Sequence, residues 1–247
     1  MFLRGRVLKV TEYTLSSGKI PSAFDNYRIV QISDLHNASF GKDNAHLLNR
    51  VRTLSPDLIV ITGDIVHDEK TDNAILFARQ ATEIAPTYYV PGNHELRIDS
   101  ETLYAALREA GVIVLLNESV DIWENHQRIH LTGLQDPAAT PGKSIKNVLQ
   151  PLIDEDAYNI LLAHRPERIE SYASCHADLV LSGHTHGGQV HLPFIGALYA
   201  TGQGFLPKYA AGLFSIGSTQ MIVSQGLGIY RLGNRPEIVA ITLKCGK

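Results

Sequence analysis

Only two of the 247 residues are cysteine, Cys175 and Cys245, and they form no Cys-x-x-Cys pair. That excludes a disulfide scaffold or a thiolate zinc site built within one chain. Both thiols read as buried or incidental, since free cysteine packs as a small hydrophobe. No run of about 18 apolar residues occurs, so no membrane-spanning helix is predicted. The opening Met1 to Arg6 is basic, but the apolar stretch and small-residue cleavage site of a signal peptide do not follow. The chain therefore reads as cytoplasmic, with peripheral membrane contact through Phe2, Leu3, Arg4 and Arg6 as the lesser alternative. An excess of one charge is also missing. Lys plus Arg is 22 and Asp plus Glu is 25, a net charge of -3, which supplies no broad basic field for bulk nucleic acid and leaves room only for a local basic groove. Charged residues are 19% and hydrophobic residues 44%, enough apolar matter for a core and too little charge for a disordered chain. Repeats, low-complexity segments and linkers are absent, so residues 1–247 are read as one domain. Composition says nothing about the oligomeric state.

What the chain does contain is a succession of short apolar runs that end abruptly in polar residues. Arg28 to Ser33 is rich in β-branched residues and stops at Asp34-Leu35-His36. Asp57 to Ile61 repeats the pattern and stops at Thr62-Gly63-Asp64; Thr87 to Val90 stops at Pro91-Gly92-Asn93-His94-Glu95. Helix-compatible stretches, Lys42 to Thr53 and Asn73 to Thr82, separate them, and three strand-loop-helix units in a row predict an α/β domain. Ser100 is the expected N-cap of a helix reaching about Ala110. Strands are expected over Val112 to Leu116, Ser119 to Trp123 and Arg128 to Gly133, with Trp123 in the core, and a loop over Asp136 to Gly142. Tyr158 to Ala163 and Asp178 to Leu181 are two further strands around a helix at Pro166 to Ala173; they end in His164-Arg165 and Gly183-His184-Thr185-His186. Beyond His186 the helical pattern gives way to glycine-punctuated strands and loops.

Eleven histidines are present, and their placement matters more than their number. Five predicted strands end in Asp34 and His36, Asp64, Asn93 and His94, His164, and His184 and His186. In open α/β sheets the ligand site lies beyond the carboxyl ends of the strands, where residues distant in sequence converge. One Asp-x-His would be a chance turn; five such ends predict a shared metal site. Carboxylate, imidazole and amide oxygens together suit Mn, Fe, Zn or Co. A pair of such ions, about 3.5–4 Å apart, acidifies water and stabilises charge on a phosphoryl group, which suits phosphoester hydrolysis. Gly63, Gly92 and Gly183 are expected to let backbone approach the ions.

The order Asp34-x-His36, Gly63-Asp64, Gly92-Asn93-His94-Glu95, His164, Gly183-His184-x-His186 resembles the calcineurin-like metallophosphoesterase superfamily. Pro21 to Tyr27, Gly183 to Val190 and Val223 to Gly228 resemble its bacterial YkuE/YaeI-like branch. The resemblance implies a four-layer α/β sandwich with mixed sheets flanked by helices. It implies that Asp34, His36 and His186 hold one metal, that Asn93, His164 and His184 hold the other, and that Asp64 bridges them. His94 is implied to act on the substrate, stabilising phosphoryl oxygens or protonating the leaving group. Two divalent ions are implied, manganese first, with Fe, Zn, Co or Ni also accommodated. The substrate expected is a phosphodiester or related anhydride, small or lipid-linked; the alternatives weighed are a phosphomonoesterase and a non-catalytic scaffold.

Weaker candidates complete the reading. Arg97 and Arg165 could hold phosphate oxygens as forked donors or serve as surface charges. His67, with Asp68, lines the pocket or a solvated loop, and His191 faces the substrate or does not with equal weight. His46, His126, His130 and His176 are assigned to the surface or to ordinary packing. Phe194, Tyr199, Phe205, Tyr209 and Phe214 are expected as core strands in preference to an apolar rim for a lipid or base.

Overall fold

The computed structural model describes residues 8–192, 196–228 and 235–246. One six-stranded sheet comprises β1 (Lys9–Ser17), β2 (Arg28–Ile32), β3 (Leu58–Thr62), β4 (Thr87–Val90), β5 (Ile113–Val114) and β15 (Glu237–Cys245), in the order β1-β15-β2-β3-β4-β5. A second comprises β6 (Glu118–Glu124), β7 (Gln127–Leu134), β8 (Asn159–Ala163), β9 (Leu179–Ser182), β13 (Gly212–Ile216) and β14 (Thr219–Val223), in the order β13-β14-β9-β8-β7-β6. A small third sheet joins β10 (Val190–Leu192), β11 (Gly196–Ala200) and β12 (Gly204–Phe205). Strands β2 to β5 run parallel, as do β7, β8, β9 and β14, so their carboxyl ends share one edge within each sheet.

Burial on both faces explains the unbroken apolar runs. In β2 and β3, Ile29, Leu58 and Val60 point inward to meet Leu131, Ile160, Leu162 and Leu179 of the second sheet. Val30, Ile32, Ile59 and Ile61 point outward to α1 (Ala45–Thr53), α2 (Asp72–Thr82) and α3 (Ser100–Glu109), which contribute Leu47, Phe77 and Leu107 to that layer. On the far side of the second sheet, Leu161 and Val180 pack with Leu149 of α4 (Ile145–Leu149) and with Ile169 and Tyr172 of α5 (Ile169–Ser174). Helices, two sheets and helices form the four layers expected.

Several local expectations are corrected. Asp99, not Ser100, caps α3: its carboxylate accepts the Thr102 amide at 3.3 Å and the Thr102 hydroxyl at 2.7 Å. The strand expected over Val112 to Leu116 is only Ile113–Val114, because β5 is an edge strand with a single neighbour. Strand β1, not among the strands expected above, lies at an edge and pairs only with β15; its β-prone run sends Val10 to the outer core and Tyr13 and Leu15 to the core between the sheets. Trp123 is 60% exposed: on β6, an edge strand, Ile122 turns into the core between the sheets while no β6 residue reaches the outer core. Cys175 is buried and Cys245 exposed. Among the described residues, no helix is long and apolar enough to cross a membrane.

Candidate metal centre

The sequence-predicted ligands follow the carboxyl ends of β2, β3, β4, β8 and β9, and two groups of them meet. Asp34, His36 and His186 form one buried cluster, and Asp64, His164 and His184 another. Asp34 Oδ1 lies 3.9 Å from His36 Nε2 and 3.7 Å from His186 Nε2. Asp64 Oδ2 lies 3.2 Å from His164 Nε2 and 3.7 Å from His36 Nε2, so this one oxygen faces both clusters. His184 Nδ1 is 3.2 Å from His164 Nε2. Five of these residues, Asp34, His36, Asp64, His184 and His186, have left-handed backbone with φ between 48° and 73°. Such conformations are costly for residues with a Cβ and persist where the surroundings impose them.

The surroundings can be named. Ser33 Oγ donates to Asp34 Oδ2 at 2.6 Å, and the His184 amide donates to the same carboxylate at 3.1 Å. The amides of Asp34 and His36 donate to the carbonyls of Gly63 and Asp64, stitching the loops after β2 and β3 together. Residues 224–228 close behind Asp34, with the Leu227 amide on Ser33 O and the Gly228 amide on Asp34 O at 2.7 Å. The loops approach too closely for side chains: a Cβ on Gly92 would lie 2.3 Å from Asp64 Oδ1 and 2.8 Å from His164 Nε2. That places the Gly92–Asn93 turn against the second cluster.

The donor set fits divalent metal. His164 Nδ1 lies 2.7 Å from the Thr62 carbonyl, which can only accept, so Nδ1 carries a proton and Nε2 is the nitrogen aimed at Asp64 and His184; a carbonyl behind the imidazole is the usual way to orient a metal-binding histidine. Buried and without hydrogen-bond partners are Nε2 of His36, which faces Asp34 and Asp64, and Oδ1 of Asn93, a costly arrangement unless a cation satisfies them. Burial, opposed only in part by Asp64, drives the His36 imidazole down to about 2, and burial reinforced by His164 and Arg165 takes His184 to about 2. Both therefore stay neutral, the form that ligates. At His164 the desolvation of burial is outweighed by the Asp64 carboxylate, which lifts it to about 10; the same pairing, against burial, holds Asp64 far below the carboxylate range. Without metal, a proton on His164 supplies the positive charge that this carboxylate needs.

The His94 amide donates to Asp64 Oδ1 at 2.8 Å, and its ring sits 4.6 Å from that of His36. Its Nδ1 is 3.4 Å from the His67 carbonyl. His67 is exposed yet stacks on His94, with ring centroids 5.1 Å apart, and stands 5.5 Å from His36. Arg97 is exposed and close enough to disfavour a charged His94, whose pKa burial already lowers. Asp68 accepts from Asn37 in the exposed loop. Arg165 instead turns to Asp136 at 2.6 Å and Glu167 at 3.5 Å, which occupy its guanidinium. The side chain of His191 and all of Phe194 lie outside the described residues. His46, His126 and His176 are exposed, while His130 bonds Asp121 and the Leu152 carbonyl away from the centre. In the segment after the ligand loop Tyr209 is buried and packs on Phe214, whereas Phe205 is 84% exposed. Sequence reasoning assigned no role to Ser33, Thr62 or Glu95; Glu95 alone had a signal, as an acid closing the Gly92-Asn93-His94 motif.

Residues 27–188 match the family described as calcineurin-like phosphoesterase. YkuE of Bacillus subtilis (strain 168), described as an uncharacterized metallophosphoesterase, is 31% identical and covers 98% of this chain and 88% of its own. Phosphodiesterase YaeI of Escherichia coli (strain K12) is 30% identical over 88% of this chain and 82% of its own. Among solved structures, the phosphopantetheinyl hydrolase PptH of Mycobacterium tuberculosis shares the fold, with a TM-score of 0.51 and 13% identity over 84% of this chain and 91% of that one. Paired His/Asp clusters at strand ends, a four-layer sandwich and a family match over most of its length have one reading: the chain belongs to the calcineurin-like phosphoesterases and is a metal-dependent phosphoric ester hydrolase.

Proposed function

We propose that the protein is a dinuclear phosphodiesterase, one functional unit over residues 1–247, working with two divalent ions, manganese first. The observation that carries the dinuclear reading is Asp64 Oδ2, within 3.7 Å of His36 and 3.2 Å of His164 and so facing both clusters. Asp34, His36 and His186 would hold one ion, Asn93, His164 and His184 the other, and Asp64 would bridge. Bound there, such ions acidify water toward a pKa of about 7 and stabilise charge on a phosphoryl group. The chain's own contribution is placement. The carbonyl of Thr62 aims His164, the His184 amide and Ser33 hydroxyl hold the Asp34 carboxylate still, and the His94 amide holds Asp64. With Nδ1 of His94 donating to the His67 carbonyl, Nε2 is left to meet the phosphoryl oxygen or the leaving group, a contact suited to a histidine. His67, stacked on His94, lines that side of the site with Arg97; Arg165, engaged by Asp136 and Glu167, would serve by shaping the wall. The preference for diesters, over monoesters in the same site, rests on YaeI being a named phosphodiesterase. The substrate is a small or lipid-linked phosphoester.

The test compares a nitrophenyl diester with the monoester at equal concentration. Diester turnover is expected to exceed monoester turnover with manganese, and chelator should abolish both. A strong monoester preference would select the phosphatase reading, and full activity in protein shown metal-free by elemental analysis would end the two-metal reading.

A further inference from the structure

Glu95 is fully buried, and no Lys or Arg pairs with it among the described residues. Its carboxylate is held mainly by backbone amides, with the buried Tyr89 hydroxyl and the His164 imidazole nearby. Oε2 accepts the amide of Asp64 at 3.0 Å and that of Gly92 at 2.6 Å, while Oε1 accepts the amide of Val66 at 3.3 Å. The loop after β3 is thus tied to the loop after β4 through one carboxylate. A second tie runs the other way, since Asp64 Oδ1 accepts the His94 amide. Asp64, which faces both clusters, is held by its backbone to Glu95 and by its side chain to the residue preceding Glu95.

We propose that Glu95 is a positioning residue: it sets the distance between the Asp64 loop and the Asn93-His94 loop, and through that distance the joint occupancy of the two metal positions, without touching substrate. The proposal rests on the dinuclear reading above. The chemistry requires a carboxylate of this length. Glutamine offers one acceptor oxygen and turns an NH2 toward either Val66 or the Asp64 and Gly92 amides, donor against donor. Aspartate keeps the charge but is one methylene short of spanning both loops. Residues that orient metal ligands typically change affinity or activity by about 10–100-fold when replaced.

The experiment measures manganese binding to the full chain by equilibrium dialysis with elemental analysis, and the electron paramagnetic resonance spectrum of the loaded protein, for the unaltered chain, Glu95→Gln and Glu95→Asp. The unaltered chain is expected to bind two ions with an exchange-coupled spectrum. Both variants should bind at least one ion about 10-fold or more weakly, lose the coupled signal in favour of isolated manganese, and show reduced kcat with little change in KM. Should Glu95→Gln fail to fold, Glu95→Asp, which preserves the buried charge, carries the test. Two ions bound with unchanged affinity and coupling in a folded variant, even one of lowered Tm, would overturn the proposal by leaving Glu95 a purely structural residue. One ion in the unaltered chain would instead overturn the dinuclear reading, and the affinity ratio of variant to unaltered chain would still decide whether Glu95 positions the site.

Discussion

His94 differs from the other histidines of the centre in what faces it. His36 and His164 look onto carboxylates and His184 onto His164, whereas the His94 ring stands beside those of His36 and His67, with its amide on Asp64 and Nδ1 on the His67 carbonyl, leaving Nε2 outside those carboxylate pairs. His94→Ala is therefore expected to retain both metal ions while lowering kcat on esters of basic leaving groups by about 10²–10⁴, the contribution of a positioned acid or base. The loss should shrink on nitrophenyl esters, which need little protonation to depart. Metal content and leaving-group dependence check this together. An ion lost from His94→Ala and restored by excess manganese would make His94 a ligand.

At the scale of elements, the centre depends on loops packed closer than side chains permit. Gly183 ends β9 where a Cβ would lie 1.9 Å from Ser33 Oγ and 2.3 Å from Asp34 Oδ2, so the turn carrying His184 can touch the turn carrying Asp34 only without one. Gly183→Ala should push the first cluster apart, cost about 1–3 kcal/mol as overpacking does, and weaken manganese binding and turnover. Gly18→Ala is the matched control, having nothing within 4 Å of its added Cβ, and should change neither. Thermal melts with and without manganese distinguish the two; normal manganese affinity in Gly183→Ala would show that the loops have slack.

For the whole molecule, the buried titratable groups set how stability varies with pH once metal is chelated. Below 6.5 the unfolded chain protonates His36 and His184, while folding holds both near 2, and His94 is lowered by burial in the same sense. Each loses stability as pH falls. Glu95 opposes them: burial, followed by Asp64, raises it from 4.5 to about 7, so the folded chain keeps one extra proton between those values. Two or more groups outweigh one, and stability should rise with pH from 4.5 up to the 6.5 of the unfolded imidazoles. Above 6.5 Glu95, His164 and, toward pH 9, the Cys175 thiol raised by burial all act in the opposite sense. The His164 proton, retained to about 10 in the folded chain and lost at 6.5 in the unfolded one, contributes stability that fades as pH climbs. Melts in chelator from about pH 5 to about pH 9 should therefore peak at about pH 6.5, where the unfolded imidazoles lose their protons. A Tm still rising from about pH 7 to about pH 9 would contradict the His164–Asp64 pairing.

The polar residues that cut off the apolar runs were legible as strand-end candidates from the sequence alone, because an apolar run stopped by Asp, His or Gly is a local signal that needs no knowledge of the rest of the chain. The sequence also determined the strands buried on both faces, such as Leu58–Thr62. The tertiary structure alone decided how these pieces meet. The β-prone run Val10 to Leu15 marks a strand, but nothing local gives its neighbour, because its partner β15 lies more than 200 residues away. Nothing local places Trp123 in solvent or turns Arg165 toward Asp136. The orientation of His164 comes from a carbonyl 102 residues earlier, and the support behind Asp34 from residues 224–228. Backbone amides and carbonyls, present at every position and silent in any sequence pattern, make these contacts, and only folding selects which of them face the clustered carboxylates and imidazoles.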